Sequence, residues 1–218
     1  MGLFIVCEGI EGCGKSTQVK LLDSFFAKRN LEYVVTREPG GTPVGEKIRG
    51  IFVHSDNKEI LPLTELLLIT AARVQHFSRV IEPALNGNKI VLCDRFFDAT
   101  VAYQGYAGGV PLPLIHKSHE LFLNAVHPDL TILFDCPVAV GLQRSRSRNT
   151  AEGIERAEGR FEDKTLLFHE KVRKGYLRLA EQEPARFAVI DALQSVEAVH
   201  AQVCRNVIAA LKEHGYAV

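Results

Sequence analysis

Apolar residues follow two rhythms along this chain. Short, nearly unbroken runs recur at Leu3–Cys7, Tyr33–Thr36, Lys89–Asp94 (KIVLCD), Leu130–Asp135 (LTILFD) and Phe187–Asp191 (FAVID). Runs apolar at consecutive positions have no polar face to offer water, so they predict strands of a parallel sheet covered on both sides. Between them the apolar positions open to helical spacing. Helices are expected at about Lys15–Arg29, Val44–Val53, Thr64–Asn86, Pro113–Val126, Val138–Ser147, Phe161–Glu183 and Val196–His214. This alternation predicts an α/β fold of three layers, a five-stranded parallel sheet flanked by helices. With 218 residues and no repeat, low-complexity tract or linker, residues 1–218 read as a single domain.

Composition narrows the function classes. Lysine plus arginine and aspartate plus glutamate both count 26, giving zero formal charge. That balance points away from a nucleic-acid or membrane surface as the partner. The N-terminal MGLFIVCEG lacks a basic leader region and reads as a strand rather than a signal peptide. No apolar run approaches the length of a membrane span. The five cysteines form no CxxC pair, so zinc and redox motifs are not expected, and free thiols suit a reducing cytoplasm.

The chemistry enters directly after the first strand. Gly9-Ile10-Glu11-Gly12-Cys13-Gly14-Lys15-Ser16 fits the pattern GxxxxGK[ST], followed by Thr17 inside the first helix. A strand, a glycine-rich loop and a helix in that order form a phosphate cradle, in which backbone N–H groups and the positive end of the helix face the anion. Lys15 is expected to reach the β- and γ-phosphates and the Ser16 hydroxyl to ligate Mg²⁺. Cys13 reads as a small loop residue whose place at a helix N-terminus favours reaction with thiol reagents. Asp94, ending the third strand, is read either as a carboxylate for Mg²⁺ or its water, or as an N-cap for the segment that follows. A switch GTPase is disfavoured. No Asp in the chain is followed three residues later by Gly, and Asn57-Lys58 lacks the Asp of a guanine-reading motif. A second odd segment, Arg144 to Lys164, interleaves Arg144, Arg146, Arg148, Arg156 and Arg160 with glutamates. It reads either as a solvated loop or as a mobile Arg-rich lid of about residues 144–160.

Further motifs accumulate at the other strand ends: Arg37-Glu38-Pro39-Gly40-Gly41-Thr42 after the second strand, Arg73 and Gln75 in AARVQH, Asp94-Arg95, and Ala102-Tyr103-Gln104-Gly105. With the loop EGIEGCGKST these resemble thymidylate kinase, a family of P-loop nucleoside monophosphate kinases, from Phe4 to about Val199. REPGGT is the most specific element. The resemblance implies a P-loop NTPase fold, the reaction ATP + dTMP → ADP + dTDP with Mg²⁺, a place in dTTP synthesis, and a homodimer. It also implies roles. Arg73 reads the thymine edge, Gln104 lies beside the base, and Arg37 and Arg95 hold the dTMP phosphate. Tyr103 walls the sugar, and Glu11 sits near the 3′-hydroxyl or a magnesium-bound water. Arg144 lies against the adenine, and Asp191-Ala192 lines its pocket. Family members carry a catalytic arginine in the P-loop or in the lid. Cys13 stands at the P-loop position, so Arg160 is expected to supply the transition-state charge.

Two positions depart from the family pattern. Ile69 stands where an aromatic residue stacks on thymine, and Ala99 replaces a serine. Ile69 presents no π-face, so weaker dTMP binding is expected, improved by Ile69→Phe unless Phe96 or Phe97 supplies the ring. The competing readings are a kinase for another nucleotide or deoxynucleoside, and a non-catalytic P-loop binding protein.

Overall fold

A computed structural model describes residues 2–57, 59–151 and 159–217, the side chains of 148–151 excepted. The expectations placed on Arg148 and Arg156, and the middle of the lid, therefore lie outside the described residues.

Five strands, β1 (Leu3–Glu8), β2 (Tyr33–Arg37), β3 (Ile90–Asp94), β4 (Leu130–Asp135) and β5 (Phe187–Asp191), form one parallel sheet in the order β2-β3-β1-β4-β5. The helices are α1 (Lys15–Lys28), α2 (Pro43–Val53), α3 (Pro62–His76), α4 (Glu82–Asn86), α5 (Phe97–Thr100), α6 (Leu112–Leu123), α7 (Val138–Ala151), α8 (Leu166–Gln182) and α9 (Val196–Glu213). Two wider π-helical stretches, Phe77–Ile81 and Val101–Ala107, continue α3 and α5. Alternate residues of β1 feed two cores. Leu3, Ile5 and Cys7 pack with α1 and α9, while Phe4 and Val6 pack with α3, α4 and α6. The predicted three-layer fold is observed. Burial on both faces holds for β1, β3 and β4, whereas the edge strands β2 and β5 are only partly covered.

Local chemistry explains the differences from the sequence expectation. The helix expected at Thr64–Asn86 widens just before Pro83, where an α-helical turn would drive the proline ring into the carbonyl of Arg79. The helix expected from Phe161 begins at Leu166, because Thr165 caps it by accepting a hydrogen bond from the Phe168 N–H. The α5 segment with its π-helical continuation was not anticipated. Its residues from Thr100 to Gly105 are all buried, so no polar face marks a helical period.

Parallel strands give the sheet two different edges. At the carboxyl edge every strand ends on a charged residue, Glu8, Arg37, Asp94, Asp135 or Asp191. At the amino edge Asn30, Asn88 and Asn124 turn the chain into β2, β3 and β4 with positive φ, a conformation asparagine tolerates well. Gly2 and Tyr216 both bond to this quiet edge, through Leu85 O and Asn88 O respectively.

Candidate active site

One cavity of about 1040 Å³ opens at the carboxyl edge, where ligands of open α/β sheets bind. Its first half is the glycine loop. Gly12 turns with φ 68°, and a Cβ there would collide with the carbonyl oxygen of Gly141 on α7. The loop and α7 therefore touch backbone to backbone, with no side chain between them. Lys15 is buried, and its Nζ donates to the carbonyls of Gly9 and Ile10, both at 2.9 Å. Ser16 and Thr17 are exposed on the same wall as Gly12, Cys13, Gly14 and Asp94. Cys13 is only 2 % exposed, which corrects the expectation of ready reaction with thiol reagents. Arg144 lines this end and donates to the carbonyl of Ala192, another wall residue, at 3.0 Å.

The second half is lined by Arg37, Ile69, Arg73, Ala99, Tyr103 and Gln104. Arg37 is half-exposed and pairs with Glu46 at 3.0 Å. Arg73 is buried. Its Nε donates to Glu38 at 2.7 Å and its Nη2 to the carbonyl of Phe96 and the hydroxyl of Thr100. Glu38 is held again by His76, Nδ1 at 3.0 Å. The guanidinium therefore stands rigidly at the cavity wall.

Glu11 and Arg95 join the two halves. Arg95 follows β3 with φ 69°, a left-handed conformation unusual for a long side chain. The turn is held by its own N–H to Cys7 O and by the Phe96 N–H to Glu8. Its guanidinium donates to the Tyr176 hydroxyl at 3.1 Å and to Glu11 at 3.3 Å, and Tyr103 donates to the same Glu11 oxygen at 2.5 Å. His169, fully buried, places Nδ1 3.3 Å from the other Glu11 oxygen. Burial alone would raise the Glu11 carboxyl, but the His169 ring, the Arg95 charge, Tyr103 and Lys15 outweigh it and bring it to about 2. Glu8 shows the opposite balance. Fully buried beneath Arg95, it accepts from Tyr176 at 2.7 Å, yet burial pushes its carboxyl up to about 7.

Three sequence expectations change. Arg160, expected to face the phosphates, is 2 % exposed and does not line the cavity. Its guanidinium donates to Glu65 Oε1 and to the carbonyl of Phe52, each at 2.6 Å, and lies beside the paired rings of Phe52 and Phe161. It anchors the chain at residue 160 to α2 and α3. Asp191 does not line the cavity either. Its carboxylate accepts from the Leu193 N–H and from Gln194, shaping the turn after β5. The rings beside Ile69 are Phe52 and Phe161, in one cluster, whereas Phe97 stacks on His119 and Phe96 packs edge-on to Phe4. Gly9 and Ile10 reach the site through the carbonyls that hold Lys15. Sequence reasoning missed Glu8, Glu38, Glu65, His169 and Tyr176. For Glu65, the signal was present as a lone carboxylate within the apolar run LTELLLI.

Comparison with known proteins agrees with this geometry. A family model described as Thymidylate kinase matches residues 7–203. The thymidylate kinase of Geotalea uraniireducens is 50% identical over 214 residues, covering 98% of this chain and all of that one. That of Syntrophotalea carbinolica is 51% identical over 207 residues, covering 95% and 94%. The crystal structure of thymidylate kinase from Ehrlichia chaffeensis superposes with a TM-score of 0.74 at 32% identity, covering 94% of this chain and 98% of its own. With a phosphate loop, an arginine-lined acceptor wall and relatives matched over nearly their full length, the chain belongs to the thymidylate kinase family.

Proposed function

We propose that this chain transfers the γ-phosphoryl group of ATP to dTMP, yielding ADP and dTDP for dTTP synthesis. The observation that carries the reading is the single cavity running from the glycine loop to the wall of Arg37, Arg73, Tyr103 and Gln104, with Glu11, Asp94 and Arg95 between. Phosphoryl transfer asks a protein mainly to hold two anions in line and to supply positive charge. Lys15 and the loop N–H groups take the ATP phosphates, and Arg144 and Ala192 border the adenine. Arg95 and Arg37 take the dTMP phosphate, Glu11 its 3′-hydroxyl, Tyr103 the sugar face, and Arg73 and Gln104 the base, which lies over Ile69 and Ala99. Closure over this cavity would exclude water from the ATP.

Mg²⁺ fits the donor set. The described residues contain no group of three or more His, Cys, Asp or Glu side chains arranged for a metal. Mg²⁺ that bridges nucleotide phosphates needs only one or two protein oxygens and keeps its waters. The exposed Ser16 hydroxyl and the Asp94 carboxylate supply those, and the ion would neutralise charge on the phosphates.

A homodimer is supported by apolar side chains that α3 and the neighbouring α6 leave in solvent. The Leu66–Ile69 run divides, Leu66 and Ile69 going to the core while Leu67 stays exposed with Leu63 on α3, as do Leu121 and Phe122 on α6. Light scattering after gel filtration reports the mass. Among the described residues no helix is long and apolar enough to cross a membrane, and the free thiols Cys7, Cys13, Cys93, Cys136 and Cys204 suit the cytoplasm. The decisive experiment is ADP release with ATP and each deoxynucleoside monophosphate in turn. Highest kcat/KM with dTMP is expected. Release only with another acceptor, or with none, overturns the reading.

A further inference from the structure

The carboxylate of Glu65 lies behind the acceptor wall, in contact with two residues of quite different origin. One oxygen accepts from Arg160 Nη1 at 2.6 Å and the other accepts from Gln104 Nε2 at 2.8 Å. Both Glu65 and Gln104 are buried. A carboxylate can only accept, so the amide of Gln104 has one orientation here, NH₂ group inward. Its carbonyl oxygen has no hydrogen bond from another described residue, and Gln104 lines the cavity. Arg73 lines the same cavity. Its Nε and Nη2 are committed to Glu38, Phe96 and Thr100, which leaves the Nη1 donors uncommitted. The wall therefore offers one fixed acceptor and one fixed donor. The thymine edge presents N3–H and O4, a donor and an acceptor. Cytosine presents the reverse, an acceptor at N3 and an amino group at C4.

The geometry points to Glu65 as a positioning residue that sets base specificity: it locks the Gln104 amide so that the site accepts a hydrogen bond from a base N–H and refuses cytosine. This rests on the reading of the cavity as the dTMP site. Arg160 has a part in the lock, since its guanidinium takes one Glu65 oxygen and leaves the other to Gln104. The same carboxylate thus ties Arg160 to the residue that reads the base.

Glu65→Gln tests this by inversion. The side chain then has one oxygen, which the charged Arg160 donor claims, leaving an NH₂ group facing Gln104. Gln104 must turn its carbonyl inward and present NH₂ to the cavity, where it meets the thymine N3–H donor to donor. We expect the ratio of kcat/KM for dTMP to that for dCMP to fall at least ~10-fold, since an unpaired buried donor forfeits a hydrogen bond and its desolvation. The ratio is taken within one preparation, so it does not depend on the fraction folded. A role limited to anchoring Arg160 would change both acceptors alike. Gln104→Leu separates the two readings. If it leaves the ratio unchanged, Gln104 does not read the base, and the site reading fails together with the proposal. If Gln104→Leu lowers the ratio and Glu65→Gln does not, the proposal alone is wrong. Should Glu65→Gln not fold, the double variant Glu65→Met with Arg160→Met removes the buried pair as a unit. The freed amide should then discriminate several-fold less. A native ratio in that variant overturns the proposal.

Discussion

Arg160→Ala separates an anchor from a transition-state residue. The guanidinium is 2 % exposed, donates to Glu65 and to the Phe52 carbonyl, and lies 4.4 Å from the Phe161 ring centroid and 5.3 Å from that of Phe52. Removing it leaves the Glu65 carboxylate with the Gln104 amide alone. Breaking a buried ion pair in this way costs about 3–5 kcal/mol. For a domain of this size 1 kcal/mol shifts Tm by roughly 2–4 °C, so thermal unfolding should move down by roughly 6–20 °C. Glu65→Met with Arg160→Met should recover most of that loss, because no unpaired charge remains. Turnover measured below the lowered Tm should fall by less than ~10-fold, whereas losing a transition-state arginine costs ~10³ or more. An Arg160→Ala protein with native Tm and turnover down ~10³-fold would refute the assignment.

Other predictions follow from the same geometry. Lys15→Ala should keep the fold and lose at least ~100-fold in turnover; a variant with more than half of native turnover would contradict the phosphate-loop assignment. The Glu8 carboxyl is raised from 4.5 to about 7 in the folded chain, so the folded state holds the extra proton and stability falls as pH rises between those values. The shift corresponds to on the order of 3 kcal/mol. Unfolding of native chain and Glu8→Gln across pH 4.5–7 should therefore show the difference moving in favour of Glu8→Gln as pH rises, and a pH-independent difference would refute the argument. Ile69→Phe is now expected to crowd Phe52 and Phe161, lowering stability by ~1–3 kcal/mol without lowering the KM for dTMP. A lower KM with unchanged Tm would restore the sequence-based expectation.

What the sequence displayed was whatever short-range pattern controls. Leu130–Asp135 and Phe187–Asp191 appear as strands with the boundaries read from the sequence, because an apolar run carries its own limits. The glycine loop was equally plain, since spacing and chemistry coincide there. The helical segment carrying Tyr103 and Gln104 was not, because burial on every side erases the period that marks a helix. The place of Arg160 was not legible, because the partner that holds it, Glu65, lies 95 positions away. An arginine bound for a phosphate and one bound for a buried carboxylate look alike in a charge-rich stretch. The sequence therefore located the cavity wall better than the residues behind it, whose roles depend on pairings between distant segments.

The asparagine turns at the amino edge mean that tolerance and chemistry are separated along the strand direction. Substrate-facing groups cluster at one end of the sheet, while the turns at Asn30, Asn88 and Asn124 carry no cavity residue. Gly2 and Tyr216 both bond to the Leu85–Asn88 turn, well away from the cavity residues. An insertion at the Asn30 or Asn124 turn should leave every group of the cavity in place, making this end of the molecule the natural point to graft a reporter or a tether.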